Sequence, residues 1–394
     1  MTAAALAFWL AAALLGYTWV AYPLLVRVAG RLARSRPRDS PHRTPRVSRP
    51  RLSVIVAAFN EATWILAKVD GTLAQRYPAG RLEVIVVSDG STDATDAVVA
   101  RHPDPRVRLI RQEPRAGKSS ALNRGVAAAR GDVLVFTDAN ALFGPGALAR
   151  LAAPFADPRV GMVSGQGLYT AAGGDARAVA SGYLRYEALI RHGESALGFQ
   201  ASADGAVYAL RRGLYRDLDA AEVNDLLHPI QAALDGFTSR FEPAAFTVEP
   251  PSRDGGQEFR RHVRIVAQGM HLLRRWLPPL VAARRWGPVW MLLSHRALRW
   301  TTAPALAVLA SANVLWLERE GLYAAALAGQ AAFYALALTG WLAERAGHRL
   351  GRLAVPYYFC LVSAAGVAGL ARFLRGGAQA VWAPAGAGAA ERAA

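Results

Sequence analysis

The chain has 394 residues, 53% of them hydrophobic, and carries 46 Lys+Arg against 29 Asp+Glu for a formal net charge of +17. That length holds one catalytic domain of about 200–250 residues plus further segments, and apolar and basic character together point to a membrane protein with an arginine-rich face towards anionic lipid or phosphate. Nucleic acid fits poorly as the partner, because the arginines flank apolar spans instead of a nucleic-acid-binding motif; the single Cys360 rules out an internal disulfide and a cysteine-based zinc site.

Residues 2–26 contain no charged side chain, enough to cross a hydrocarbon core of roughly 30 Å. A cleaved signal peptide is disfavoured, since the positive n-region is missing and no cleavage site follows the long apolar run. Residues 1–26 are therefore expected to form a transmembrane helix. Residues 27–51 hold nine arginines and Asp39 as the only acid, so the basic linker 27–50 belongs in the cytoplasm and the N-terminus outside.

Residues 51–258 read as one cytoplasmic catalytic domain. The β-branched apolar runs 52–58 (LSVIVAA) and 82–88 (LEVIVVS) have the character of buried parallel strands. A crossover helix is expected over 61–75, then a helix at 92–101, a strand at 107–111, a helix at 118–130, a strand at 133–137, a helix at 145–155 and a strand at 160–165. Strands alternating with helices imply a doubly wound α/β sheet, whose ligands sit outside the carboxyl ends of the strands. Those ends carry Phe59-Asn60-Glu61, Asp89-Gly90-Ser91-Thr92-Asp93 and Asp138-Ala139-Asn140. Helix capping explains an acid at one strand end but not three polar ends meeting at one edge. Arg115-Ala116-Gly117-Lys118-Ser119 lacks the glycine spacing of a Walker A loop, although Lys118 at a helix N-terminus is placed to face a diphosphate. A glycine-rich dinucleotide fingerprint is also missing from the sequence, which argues against a dehydrogenase.

Residues 259–300 contain nine arginines, four tryptophans and no acid, a composition suited to interfacial helices over 259–299, with their rings at headgroup depth. Three further apolar spans follow at 300–317, 321–343 and 353–371 within a membrane segment 300–375, leaving 376–394 as a flexible tail. The link Glu318-Arg319-Glu320 is net acidic and the link 344–352 carries three arginines and a histidine, so all four spans agree on one topology.

In this order and spacing, SVIVAAFNE, VVSDGSTDAT, RAGKSSALN and VFTDAN resemble the inverting family-2 glycosyltransferases. The likeness continues through GYLRYE, ADGAVYALRR, EVNDLLHPI and GGQEFRRHVRI, and covers residues 51–268. The resemblance implies a GT-A-type mixed α/β sheet. It implies that Asn60, Glu61 and Asp89 hold the base and ribose of a nucleotide-diphosphate sugar, a UDP-sugar being favoured. Asp138 and Asn140 match the element that binds the diphosphate through Mg²⁺ or Mn²⁺, with Asn140 replacing the usual second aspartate. Asp225 is the expected general base, Asn224 standing where the family carries a first acid. Asp204 would contact the acceptor, whose recognition falls to loops expected around 182–205. Glu258 to His262 match a Gln-x-x-Arg-Trp element only in part, leaving Arg261, with Arg260 and Arg264, to bind the donor diphosphate or lipid headgroups. The implied activity is transfer to a glycan or lipid-linked acceptor in polysaccharide synthesis at the inner membrane, with an export-complex partner as an option. The alternatives are transfer of a single sugar to a polyprenyl phosphate, or a non-catalytic subunit of a synthesis and export complex.

Overall fold

The computed structural model describes residues 3–35, 49–169, 176–250, 254–315, 321–348 and 350–376. The N-terminal apolar run forms helix α1 (Ala3–Gly16), which passes through one π turn (Tyr17–Ala21) into α2 (Tyr22–Ser35). The helix thus runs beyond residue 26, across Arg27 and Arg31, before residues 36–48, which lie outside the described set.

LSVIVAA forms β1 (Leu52–Ala58), buried along almost its whole length. Parallel strands β2 (Leu82–Asp89) and β4 (Val133–Asp138) flank it, Val54 facing Val84 on one side and Val135 on the other, and β3 (Val107–Gln112) lies outside β2. Alternation along the strands divides the core into two layers. Val54, Val56, Val84, Val86, Val133 and Val135 pack against α3 (Ile65–Leu73), α4 (Thr95–Ala100) and α6 (Ala147–Ala152). Ile55, Ile85, Val87, Leu134 and Phe136 face α5 (Lys118–Ala128) and α8 (Asn224–Leu234).

The expected strands form to within a residue or two, except that β6 (Val160–Tyr169) continues to Tyr169, and the expected helices are shorter than read. Three strands escape the helix–strand alternation: β5 (Leu142–Phe143), β7 (Tyr208–Arg211) and β8 (Thr238–Glu249). They complete an eight-stranded mixed sheet of order β3-β2-β1-β4-β7-β6-β8-β5, with β7 antiparallel to β4 and β6, and β5 antiparallel to β8. The doubly wound α/β class holds, with a mixed half beyond β4. The acceptor loops expected around 182–205 are largely helix: α7 (Ala176–Leu197) occupies most of that stretch.

The boundary expected at 258/259 does not exist in the fold, since α9 (Gly255–Ala282) runs through it, capped by Asp254, whose carboxylate accepts from the Gln257 N–H at 2.7 Å. With α10 (Trp286–Leu292) and α11 (Leu298–Trp300) it packs against the sheet domain. Trp276, Trp290 and Trp300 turn into the protein, and only Trp286 is largely exposed; anchoring these helices to protein takes precedence over the headgroup role expected for their rings. Beyond them run α12 (Thr302–Leu315), α13 (Gly321–Arg345) and α14 (Ala354–Leu374). The helical stretches 3–33, 321–345 and 351–374 are long and apolar enough to cross a membrane, whereas α12 is shorter as described. Their outer surfaces expose Leu10, Val314, Leu315, Leu338 and Val355, the side chains a lipid-facing belt needs.

Candidate active site

The carboxyl ends of β1, β2 and β4 lie side by side, so the residues that follow them line one edge. Asn60 adopts a positive φ of 55° and turns its amide onto the next strand end, its Oδ1 accepting from the Thr92 N–H at 2.8 Å. Asp89 is 3% exposed. Its Oδ1 accepts from Gln112 Nε2 at 2.5 Å and the Ala116 N–H at 2.8 Å, and its Oδ2 from the Gly117 N–H at 2.9 Å. Both residues thus brace loops, where the family resemblance gave them a base and ribose to hold. Gly117 sits at φ 92°, a conformation that a side chain would strain; it lets the loop turn from Asp89 into α5. Arg115 covers the Phe59 ring, its guanidinium carbon 3.6 Å from the centroid.

Lys118 opens α5 and its Nζ donates to Asp138 Oδ1 at 2.5 Å, joining two of the expected donor-site residues directly. Burial, then Asp138 and Asp93, push the Glu61 carboxyl up to about 7. Glu249, at the end of β8, is likewise pushed up to about 7 by burial and then Asp138. Glu61 and Glu249 thus both lie within the field of Asp138, with Arg261 and Lys118 opposing it at Glu249. The second oxygen of Asp138 has no hydrogen-bond partner among the described residues.

Asp225 lies in the first turn of α8, whose N-cap is Val223, so it is not the helix cap. Its Oδ1 is buried without a hydrogen-bond partner among the described residues. Its carboxylate lies against Gly205, where an added Cβ would be 3.1 Å from Oδ2. Burial raises its pKa; Lys118 and Arg296 oppose that, while Asp204 and Asp138 add to it. Asn224 points away from this carboxylate edge and into the core. Its amide donates to Tyr208 Oη at 2.6 Å, and that hydroxyl is hydrogen-bonded to His228 Nδ1 at 3.0 Å, all three residues being buried. Burial pushes the His228 imidazole down to about 3 and keeps it neutral. An amide at 224 donates to Tyr208 where a carboxylate could only accept from it.

Asp204 accepts from the Gly167 N–H at 2.9 Å and the Ala206 N–H at 3.2 Å, with Arg191 Nη1 at 3.4 Å. Arg261 reaches Tyr169 Oη at 3.3 Å and lies in the field of Glu249. Arg264, one helical turn on, is half-buried and within the fields of Asp138 and Asp225. Sequence reasoning missed Lys68, Glu249 and Arg191. Lys68 was legible: it falls three residues after Ile65 and four before Thr72, on the buried stripe of α3.

This edge, a mixed sheet with acids at the ends of β1, β2 and β4 and a buried carboxylate facing them from α8, is that of a GT-A-type nucleotide-sugar fold. Residues 53–217 match the family model of glycosyl transferase family 2. It is 41% identical over 102 residues to the succinoglycan biosynthesis protein ExoO of Rhizobium meliloti, covering 26% of this chain and 29% of that protein. To the probable glycosyltransferase YdaM of Bacillus subtilis it is 28% identical over 251 residues, 60% of this chain and 59% of that one. The chain therefore spans less than two thirds of either relative. A solved structure, the mannosyltransferase PcManGT from Pyrobaculum calidifontis in complex with GDP-Man and Mn2+, superposes with a TM-score of 0.67 at 26% identity, over 93% of this chain and 99% of that one.

Proposed function

We propose that the chain transfers a sugar, with inversion, from a nucleotide-diphosphate sugar to a glycan or lipid-linked acceptor at the inner face of the cell membrane, in polysaccharide synthesis. The observation that carries this reading is the pair Asp138 and Asp225, close enough that, beyond burial, the charge of the first raises the pKa of the second. One carboxylate stands at the end of β4 under Lys118, and the other is buried with a free oxygen at the start of α8.

Inversion is a single displacement. As the acceptor oxygen attacks the anomeric carbon, its proton passes to a base, and Asp225 Oδ1 is free to take it. The burial that raises its pKa makes it a stronger base. Negative charge develops on the departing diphosphate, and Lys118, Arg261 and Arg264 are the cations of this chain placed to offset it. Asp138 and Asn140 would hold Mg²⁺ or Mn²⁺, hard ions that take carboxylate, amide and phosphate oxygens. Such an ion neutralises leaving-group charge when bound. The Mn²⁺ and GDP-Man of the mannosyltransferase support this site chemistry and place GDP-sugars beside UDP-sugars as donors to try.

Purified full-length protein in detergent, given a panel of UDP- and GDP-sugars with Mn²⁺, is expected to release nucleoside diphosphate from at least one donor. Release from none, together with no calorimetric binding of UDP or GDP, would instead favour a non-catalytic membrane subunit.

A further inference from the structure

We propose that Lys68 is a positioning residue that locks the turn carrying Asp138 to the turn carrying Asp204, and so sets the donor half of the site against the acceptor half. Only the kinetic arm of its test rests on the glycosyl-transfer reading above.

The Lys68 side chain has no solvent exposure. A buried ammonium persists only where oxygens surround it, and here they come from the site's own scaffold. Nζ donates to Thr137 Oγ1 at 2.6 Å and to the Ala141 carbonyl, and lies 3.8 Å from the centroid of the Phe143 ring. The two oxygens bracket the turn that carries Asp138 and Asn140, which is itself closed by the Ala141 N–H donating to the Asp138 carbonyl at 3.2 Å.

Burial lowers the Lys68 pKa to about 7. In either protonation state the Ala206 carbonyl can only accept, so the Thr137 hydroxyl donates its single proton to that carbonyl, 2.7 Å away, and accepts from Lys68. Ala206 belongs to the turn in which the Asp204 carbonyl accepts from the Val207 N–H at 3.0 Å, and its neighbour Gly205 abuts the Asp225 carboxylate. The path Lys68–Thr137–Ala206 therefore runs from beneath the diphosphate-side carboxylate to the backbone against which the base packs. Misplacement of reacting groups by about 1 Å costs roughly a hundredfold in rate, which is what such a lock prevents.

The test uses full-length protein in detergent and the variants Lys68→Met, Thr137→Val and the double. Lys68→Met keeps the side-chain length and removes the donors; Thr137→Val removes the hydroxyl shared by both links and leaves Lys68 bonded to the Ala141 carbonyl. Hydrogen–deuterium exchange should rise at 137–144 and 203–208 in Lys68→Met, and at 203–208 in Thr137→Val. The double variant should add nothing at 203–208 beyond Lys68→Met. With the donor found in the sugar-nucleotide panel, Lys68→Met should lower kcat by about tenfold or more while donor KM stays within about threefold, as loss of a transition-state interaction requires. Exchange that rises only at 137–144, or a rise in KM with kcat unchanged, would overturn the proposal. Should Lys68→Met unfold, Thr137→Val decides alone: unchanged protection at 203–208 contradicts the lock and lost protection supports it. Wild-type protein that turns over no donor would sink the glycosyl-transfer reading while leaving the exchange result to judge Lys68.

Discussion

Asp225 shows how one residue's surroundings set its chemistry. Burial raises its carboxyl above the ordinary aspartate value of 3.8, and the nearby Asp204 and Asp138 add to the effect. The base works only when ionised, so activity is present above its pKa and falls as pH drops through it. The acid limb of kcat/KM should therefore lie above 3.8; a profile flat down to that value would exclude Asp225 as the titrating base. Asp138 and Asp225 were legible in the sequence, because a strand end and a helix start fix where a side chain emerges. Asn60 and Asp89 were legible as positions on the same edge, but their hydrogen bonds to neighbouring loops were not. Spacing cannot tell whether a carboxylate turns outward to a ligand or back to the Ala116 and Gly117 N–H groups, as that of Asp89 does.

At the scale of elements, α7 is the part least visible beforehand and the one that joins the N-terminal apolar helix to the sheet. It crosses α2 so closely that a Cβ on Gly193 would lie 2.5 Å from the Val26 carbonyl, so Gly193→Leu should separate the two helices and lower the melting temperature in detergent. Beside that crossing Glu194 accepts from Tyr22 Oη at 2.6 Å, His295 bridges Glu194 at 2.7 Å and Glu187 at 3.1 Å, and Arg299 closes on Glu187. Burial opposes ionisation of Glu187, and Arg299 and His295 outweigh it and hold its pKa well below the usual glutamate value. Removing one partner of such a buried set leaves charge uncompensated, so Glu187→Ala should cost about 3–5 kcal/mol, read as a lower denaturation midpoint; a change within error would mean that the cluster contributes nothing to docking. The stretch 182–197 reads as loop in the sequence because its glycines and scattered charges mask an apolar stripe whose partners lie far away along the chain, on α2 and around His295. Strand β7 escapes sequence reading because it is only four residues long, and β8 because its buried and half-buried residues form no unbroken β-branched run such as marks β1 and β2.

For the whole molecule, packing brings the ends of the apolar helices together in two groups. Phe8 meets Tyr323 with ring centroids 4.9 Å apart and packs with Ala312, so the start of α1 lies against α12 and the start of α13. At the other end Glu344 accepts from the Gly255 N–H at 3.2 Å and from Tyr357 Oη at 2.5 Å, which ties the basic link to the start of α9. In a Cys360→Ser background, Gly321→Cys should react with a membrane-impermeant maleimide in intact cells and Ser91→Cys only after lysis; the reverse pattern would invert the topology. The central claim is that this membrane-tethered sheet edge performs glycosyl transfer with Asp225 as base. Its most direct test is Asp225→Asn, measured for nucleoside diphosphate release alongside calorimetric binding of the nucleoside diphosphate with Mn²⁺. The expected result is binding within about threefold of wild type and a kcat lower by at least about a hundredfold, the scale of a general base's contribution; turnover at the wild-type rate would contradict the account.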